Sequence, residues 1–198
     1  SGKSIFSLFL LCLTPKKSFF ISGGDAFFNY KNYSFNLFSD STYKWCHFRK
    51  NYISLIFQDP SASLNPSMKC GKQIMEGISS SKDKFSTCIS LLKEVEIKDY
   101  MRIFNSYPHE LSGGQKQRVV IAIALATDPK ILVADEPTTS LDPVNQQSIL
   151  NLIEKLKNSR KIGVILISHN LTLIKRFCDK KYVLNNLSIN ELEKEDLK

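Results

Sequence analysis

No stretch of the 198-residue chain is apolar for the length of a bilayer, where a spanning helix needs about 20 predominantly apolar residues. None of its five cysteines (Cys12, Cys46, Cys70, Cys88 and Cys178) forms a C-x-x-C pair, and the number is odd. Both facts argue against a zinc site or a disulfide framework and for a reducing compartment. Lys and Arg outnumber Asp and Glu, 27 to 19, for a net charge of +8, yet the basic residues are scattered and no run reaches polybasic length. A solvated, Lys-rich surface is therefore favoured over a face for nucleic acid or anionic membrane. No internal repeat is present. What remains is ordinary for a globular protein, 42% hydrophobic and 23% charged, and long enough for one domain with a sizeable core. The apolar run Ile5–Leu13, with Lys3 before it, is shaped like a signal-peptide core. It is read instead as a buried helix, for a reason that lies in the four residues at its head.

The pattern along the chain places a helix from Lys3 to about Leu13, stopped by Thr14-Pro15. A polar and aromatic stretch follows, with a turn at Gly23-Gly24 and a strand at Ala26–Tyr30. Tyr52–Phe57 reads as a buried strand, Asp59–Met68 as turns around Pro60 and Pro66, and Gly71–Ser79 and Lys84–Val95 as helices. Val119–Ala126 reads as a helix buried on most sides. Then strands and helices alternate: strand Ile131–Ala134, helix Val144–Lys157, strand Gly163–Ile167, helix Leu171–Phe177 and strand Tyr182–Leu184. The tail Asn190–Lys198 is charged and expected to be frayed or helical. Alternation with continuous apolar strands predicts a parallel α/β sheet, and the strand-poor middle predicts an inserted helical subdomain.

Three motifs carry chemistry. Ser1-Gly2-Lys3-Ser4 matches the end of the P-loop pattern G-x-x-x-x-G-K-[ST]. Backbone N–H groups of such a loop cradle phosphates at a helix N-terminus, Lys3 would reach the β- and γ-phosphates, and the Ser4 hydroxyl would ligate Mg²⁺. Alone the match is weak, and a solvated terminal lysine explains it as well. Ile131–Glu136 is an apolar strand ending in two acids, where an α/β sheet binds ligands. There Asp135 can hold Mg²⁺ and Glu136 can orient and deprotonate a water; a solvated acidic turn before Pro137 is an equal reading. Leu111-Ser112-Gly113-Gly114-Gln115 offers bare N–H groups at the start of a long helix, an anion nest, or else a helix capped by Ser112.

Taken together these motifs resemble the ABC-type ATPases, in the family's order and at suitable spacing. The resemblance covers nearly the whole chain and implies a P-loop NTPase fold, with a sheet core over 1–58 and 128–198 and a helical signature subdomain over 59–127. By resemblance, Ser1, Gly2, Lys3 and Ser4 end Walker A and bind ATP, with Mg²⁺ as its companion ion. Gln58, in Phe57-Gln58-Asp59-Pro60, is similar to the Q-loop glutamine that touches the metal and the water. Ser112, Gly113, Gly114 and Gln115 are similar to the signature that binds ATP held by the opposing subunit. Asp135 and Glu136 resemble the Walker B pair, Asp142 lies in the D-loop, and His169 resembles the switch histidine at the γ-phosphate. Phe57–Pro66, Tyr107–Glu110 and Asp135–Asp142 narrow the resemblance to the importers of dipeptides, oligopeptides and nickel.

The resemblance implies a cytoplasmic ATPase, peripheral on the inner face of the cell membrane. Its expected partners are a second ABC ATPase subunit, packed head to tail, and membrane-embedded permease subunits, with no direct nucleic-acid contact. The chain lacks an initiator Met and starts inside the P-loop motif, which reads as a fragment or an incomplete gene model, and the first P-loop glycines and adenine-stacking aromatic that the resemblance implies are not in it. Asn170 follows His169 where such proteins usually carry Asp. Two rival readings remain. One is a non-transport ABC ATPase acting on DNA or in translation, against which the ordinary interval between Walker A and signature, without sustained heptads, argues. The other is an inactive fragment that only docks, against which the intact Glu136 and His169 argue.

Overall fold

Three short apolar segments form the centre of the protein: β3 (Ile53–Ile56), β4 (Ile131–Asp135) and β5 (Gly163–Ile167). They are parallel, in the order β3-β4-β5, with Ile56 beside Ala134 and Ala134 beside Leu166. The structure is a computed structural model and describes residues 2–14, 23–38, 42–79, 83–185 and 188–192. Both faces of this sheet are covered, which is why the strands read as unbroken apolar runs rather than alternating ones. The two-residue period of a strand sorts the side chains. Ile56, Leu132 and Ala134 enter one core, with Val164 and Leu166 packed against it. Ile53, Val133 and Ile167 enter the other.

The first core is helical. It is built by α3 (Pro60–Ser63), α4 (Cys70–Gly77), α5 (Lys84–Glu94), α6 (Tyr100–Asn105) and α7 (Gly113–Leu125), which lie between β3 and β4 in the chain, and by α8 (Pro143–Arg160) after β4. Helix starts here are written in the sequence as caps. Asp59 accepts from Ser61 N–H, Asp83 from Ser86 N–H, Asp99 from Arg102 N–H and Ser112 from Gln115 N–H, each satisfying an N–H that the helix leaves open. Neither α6 nor α3 was expected; both are too short for a helical period to register.

The second core is N-terminal and aromatic. It contains α1 (Lys3–Leu10), the hairpin of β1 (Phe27–Tyr30) and β2 (Tyr33–Asn36), and α2 (Thr42–Asn51). The strand expected at Ala26–Tyr30 is thus half of an antiparallel hairpin whose second strand and following helix α2 were not foreseen. Phe28 and Phe48 meet edge to face at 5.1 Å between ring centres, and Tyr33 stacks on Tyr52 at 4.5 Å. Helix α1 stops at Leu10, three residues before the expected end. Cys12 takes a left-handed φ of 54°, and Leu13 N–H bonds back to the Leu8 carbonyl at 2.9 Å, a Schellman-type stop that needs no proline. Pro15, the expected stop, lies outside the described residues.

The C-terminal end differs most from expectation. Strand β6 (Tyr182–Asn185) pairs antiparallel with β7 (Ser188–Glu191) and not with the parallel sheet. Asn190 and Glu191, expected frayed or helical, are therefore in a strand; 193–198 lie outside the described residues. Between β5, α8, α9 (Leu171–Phe177) and the β6–β7 pair runs a cavity of about 810 Å³, walled by Ile153, Val164, Leu166, Ile174 and Leu184 and open to Lys3 and His169.

Candidate functional site

Parallel register brings three of the expected residues to one edge. Ile56, Ala134 and Leu166 stand in one row across the sheet, and Gln58, Glu136 and His169 follow them by two, two and three residues. All three therefore leave the carboxyl ends of adjacent strands, the rim where open α/β sheets bind ligands. Helix α1 packs beside β4 and presents its N-terminus at the same rim.

Asp135 and Glu136 have different environments although they are neighbours. Asp135 ends β4 in regular strand geometry and is 7% exposed. Its Oδ2 accepts a 2.8 Å hydrogen bond from the Ser7 hydroxyl, itself buried, one helical turn beyond Ser4 in α1. Glu136 leaves the strand in the left-handed region, at φ 49°, a conformation that for a residue with a side chain costs of order 1 kcal/mol and is held only by its surroundings. What holds it is its own N–H, which bonds to the Ile167 carbonyl of β5 at 2.9 Å. The bend carries its carboxylate to His169 Nδ1, 2.8 Å from Oε1 and 2.7 Å from Oε2. Thr139 Oγ1 donates to Oε2 at 2.5 Å. Burial pushes the Glu136 carboxyl up, but the bonds from Thr139 and His169 and the charges of His169 and Lys3 outweigh it and leave it below the usual carboxylate range. These contacts favour the carboxylate form of Glu136.

The residue before α1 is Gly2, at φ 75°, which carries no side chain with which to cap the helix. The left-handed φ suits glycine, and first-turn N–H groups with Lys3 beside them suit a phosphate. Ser1 and the Ser4 side chain lie outside the described residues. Among the described residues no cluster of three His, Cys, Asp or Glu side chains stands ready for a metal. A Mg²⁺ ion, which keeps waters and takes phosphate oxygens where it serves nucleotides, needs fewer. Ser7 occupies only Oδ2 of Asp135, so the donor set fits that ion.

Gln58 is exposed in the loop between β3 and α3, and no hydrogen bond or ion pair joins it to Glu136 or His169 among the described residues. The signature segment stands apart too. Ser112 and Gln115 form a capping box, with the Ser112 hydroxyl accepting from Gln115 N–H and Gln115 Oε1 accepting from Ser112 N–H. Gly114 has a packing reason to lack a side chain: a Cβ there would lie 2.9 Å from Asn145 Oδ1. Gly113 comes close to Leu141 in the same way. Asn145 is in turn bound through its N–H (3.1 Å) and Nδ2 (2.6 Å) to Asp142, the cap of α8. Signature and D-loop segments are thus one packed unit within this chain, joined to neither Lys3 nor Glu136 by any hydrogen bond among the described residues.

Asn170, the departure from the expected Asp, caps α9 by accepting from Thr172 and Leu173 N–H. The amide oxygen does there what a carboxylate would. Sequence reasoning missed Ser7 and Thr139. Nothing local marks them, since each matters through a partner brought to it by the fold or by a turn.

The sequence pattern of the ABC transporter family matches residues 1–139. The dipeptide transport ATP-binding protein DppD of Lactococcus lactis subsp. cremoris is 39% identical over 190 residues, which are 93% of this chain and 53% of that protein. The oligopeptide transport ATP-binding protein OppD of Escherichia coli K12 is 42% identical over 141 residues, 69% of this chain and 42% of that one. The chain spans about half the length of such relatives. Among solved structures, the dimeric post-hydrolysis state of an ATP-binding cassette bound to ADP and Pi is similar with a TM-score of 0.77 at 25% identity, covering 97% of this chain and 81% of that one.

Proposed function

Given that the chain belongs to the ABC transporter family, we propose that it binds and hydrolyses ATP to power an importer, with peptides as the cargo class. The observation that carries the reading is the convergence of Asp135, Glu136 and His169 with the glycine-led N-terminus of α1 at one rim of the parallel sheet. The first-turn N–H groups of α1 and Lys3 would bind the phosphates of the substrate. Asp135, with Ser4, would hold Mg²⁺, whose positive charge offsets that of the phosphate oxygens. Glu136, ionised and fixed, would orient a water and take its proton as the water oxygen attacks phosphorus. His169 would exchange its contact with Glu136 for one with the γ-phosphate, and Gln58 would approach from its loop.

Ser112, Gly113, Gly114, Gln115 and Asp142 lie apart from this rim, which supports a role toward nucleotide held by a second ATPase subunit packed head to tail. In that arrangement residues 59–127 act as a helical signature subdomain on the sheet core formed by 1–58 and 128–198, and the segment Gln58–Gly71, where the two join, would meet the permease. Among the described residues no helix is long and apolar enough to cross a membrane, which accords with a peripheral subunit at the cytoplasmic face. Peptides are favoured over nickel because the relatives are named for dipeptide and oligopeptide transport.

The test is Glu136→Gln in the full-length protein. ATP binding should persist while hydrolysis falls by about 100-fold or more, in line with the worth of a positioned general base. Turnover close to that of the unmodified protein would refute the assignment.

A further inference from the structure

We propose that Thr139 is a positioning residue that pins one oxygen of the Glu136 carboxylate and so selects the other as the proton-accepting atom. The inference rests on the hydrolytic reading above. Thr139 sits in the turn after β4, exposed, and its side chain makes one hydrogen bond among the described residues, from Oγ1 to Glu136 Oε2 at 2.5 Å. Its N–H also bonds to the Glu136 carbonyl at 3.3 Å, so the same turn fixes both the backbone and the carboxylate of Glu136.

The two carboxylate oxygens are not equivalent. Oε2 accepts from both Thr139 and His169, while among the described residues Oε1 has a hydrogen bond from His169 alone, at 2.8 Å. The His169 side chain is 66% exposed and reaches Glu136 from beyond another strand, whereas Thr139 is also tied to Glu136 by the backbone bond of their shared turn, so His169 is the partner free to leave. When it turns away, Oε2 keeps its hydroxyl donor and Oε1 is left without a described one. With Oε2 occupied by the Thr139 hydroxyl, Oε1 is the oxygen whose lone pairs are open to take a proton. In the reaction the water oxygen bonds to phosphorus, the bond from phosphorus to the bridging oxygen of the departing diphosphate breaks, and the water proton passes to Oε1. Thr139 donates throughout and is not consumed. The threonine contributes little else: it is exposed, outside both cores, so its removal disturbs no packing.

The experiment compares Thr139→Val, which keeps the shape and loses the hydroxyl, with Thr139→Ser, which keeps the hydroxyl. Both are made in the full-length protein with its partner subunits and assayed with Mg-ATP. T139V should lower kcat by about tenfold or more, the scale on which misplacing a catalytic group acts, while KM for ATP and the melting temperature stay near those of the unmodified protein. T139S should restore kcat to within about threefold of the unmodified protein, as a shared hydroxyl requires. Unchanged kcat in T139V, or equal losses in T139S and T139V, overturns the proposal. A crystal structure of T139V is a readout free of turnover: a Glu136 carboxylate turned away from its present place supports the role, and one that has not moved overturns it. Normal turnover in T139V beside an inactive E136Q would remove only the positioning role. Normal turnover in E136Q would remove the hydrolytic reading beneath it.

Discussion

The helical layer between β3 and β4 and the outer flank formed by β5, α9 and β6–β7 are made of similar residues but are built differently. In the helical layer Ile74, Cys88, Leu92, Val95 and Ile103 are fully buried, and α3, α5, α6 and α7 each begin on a side-chain cap. On the flank α9 has no buried residue, Leu171 is 57% exposed, and β5 faces the cavity of about 810 Å³ rather than a fourth strand. The candidate site straddles the two. Asp135 and the backbone of Glu136 stand on the central strand, and His169 stands on the flank. Local stability is lowest where few apolar contacts are made. The acids are thus mounted on the closely packed side, and the histidine that touches one of them stands on the loosely packed one.

The strongest test of that contrast is a pair of truncations read by urea unfolding. Leu92→Ala should destabilise the protein by about 2–5 kcal/mol, as a cavity in a closed core does. Ile174→Ala, which only widens an existing cavity, should lose about 1 kcal/mol or less. Equal losses would break the comparison.

A second test concerns the contact of α7 with α8. Gly114→Ala should cost about 1–3 kcal/mol through crowding against Asn145, and adding Asn145→Ala should recover most of it. If the double variant is as unstable as the sum of the singles, the two residues are not coupled and Gly114 is required for another reason.

Next come the caps. Asp83→Ala at the start of α5 and Asn170→Ala at the start of α9 should each lose about 1 kcal/mol. Amide exchange after the change should quicken across α9 alone in the second variant, because the flank opens independently of the helical layer. Global quickening would contradict that division. Asn170→Asp should leave both stability and exchange unchanged.

The smallest effect is a pH dependence. Glu96 is held below the usual carboxylate range by its hydrogen bond from Lys155, against burial, and with help from Arg118. Its folded pKa lies below the unfolded value. The pair therefore contributes fully above the unfolded pKa, and that contribution is lost as pH falls through the folded one. Glu96→Gln should lower the melting temperature slightly at neutral pH and above, with the difference from the unmodified protein vanishing as pH falls through the folded pKa, so that the acid side of the curve is flatter, measured by melting temperature from pH 7 downward.

Much of this was readable in advance where the determining interactions are local. The central strands at Tyr52–Phe57, Ile131–Ala134 and Gly163–Ile167 announce themselves as short apolar runs, and Leu171–Phe177 is bounded by its own cap. The second strand of the hairpin and α2 are not readable, because their aromatic residues are scattered and become a core only once Phe28, Phe35 and Phe48 converge. Helix α1 was drawn too long because a proline is a visible stop and a left-handed cysteine is not. Strand β6 was recognisable as a strand, yet nothing within Tyr182–Leu184 says which neighbour it pairs with.

The site divides in the same way. The sequence by itself determined the residue types and their order: Lys3 at a helix head, Asp135-Glu136 at a strand end, the capped glycine pair at Gly113-Gly114, and His169 after a strand. Periodicity and capping act over a few residues and so are legible there. Only the tertiary structure decided that Ser7 bonds Asp135 across 128 residues of chain, that Glu136 turns left-handed to meet His169, and that Thr139 takes one oxygen of that carboxylate and not the other. The reason for the first two is range, since strand register and the approach of α1 to β4 bring together residues far apart in the chain; the Thr139 contact is short in sequence but depends on the turn that begins at the left-handed Glu136.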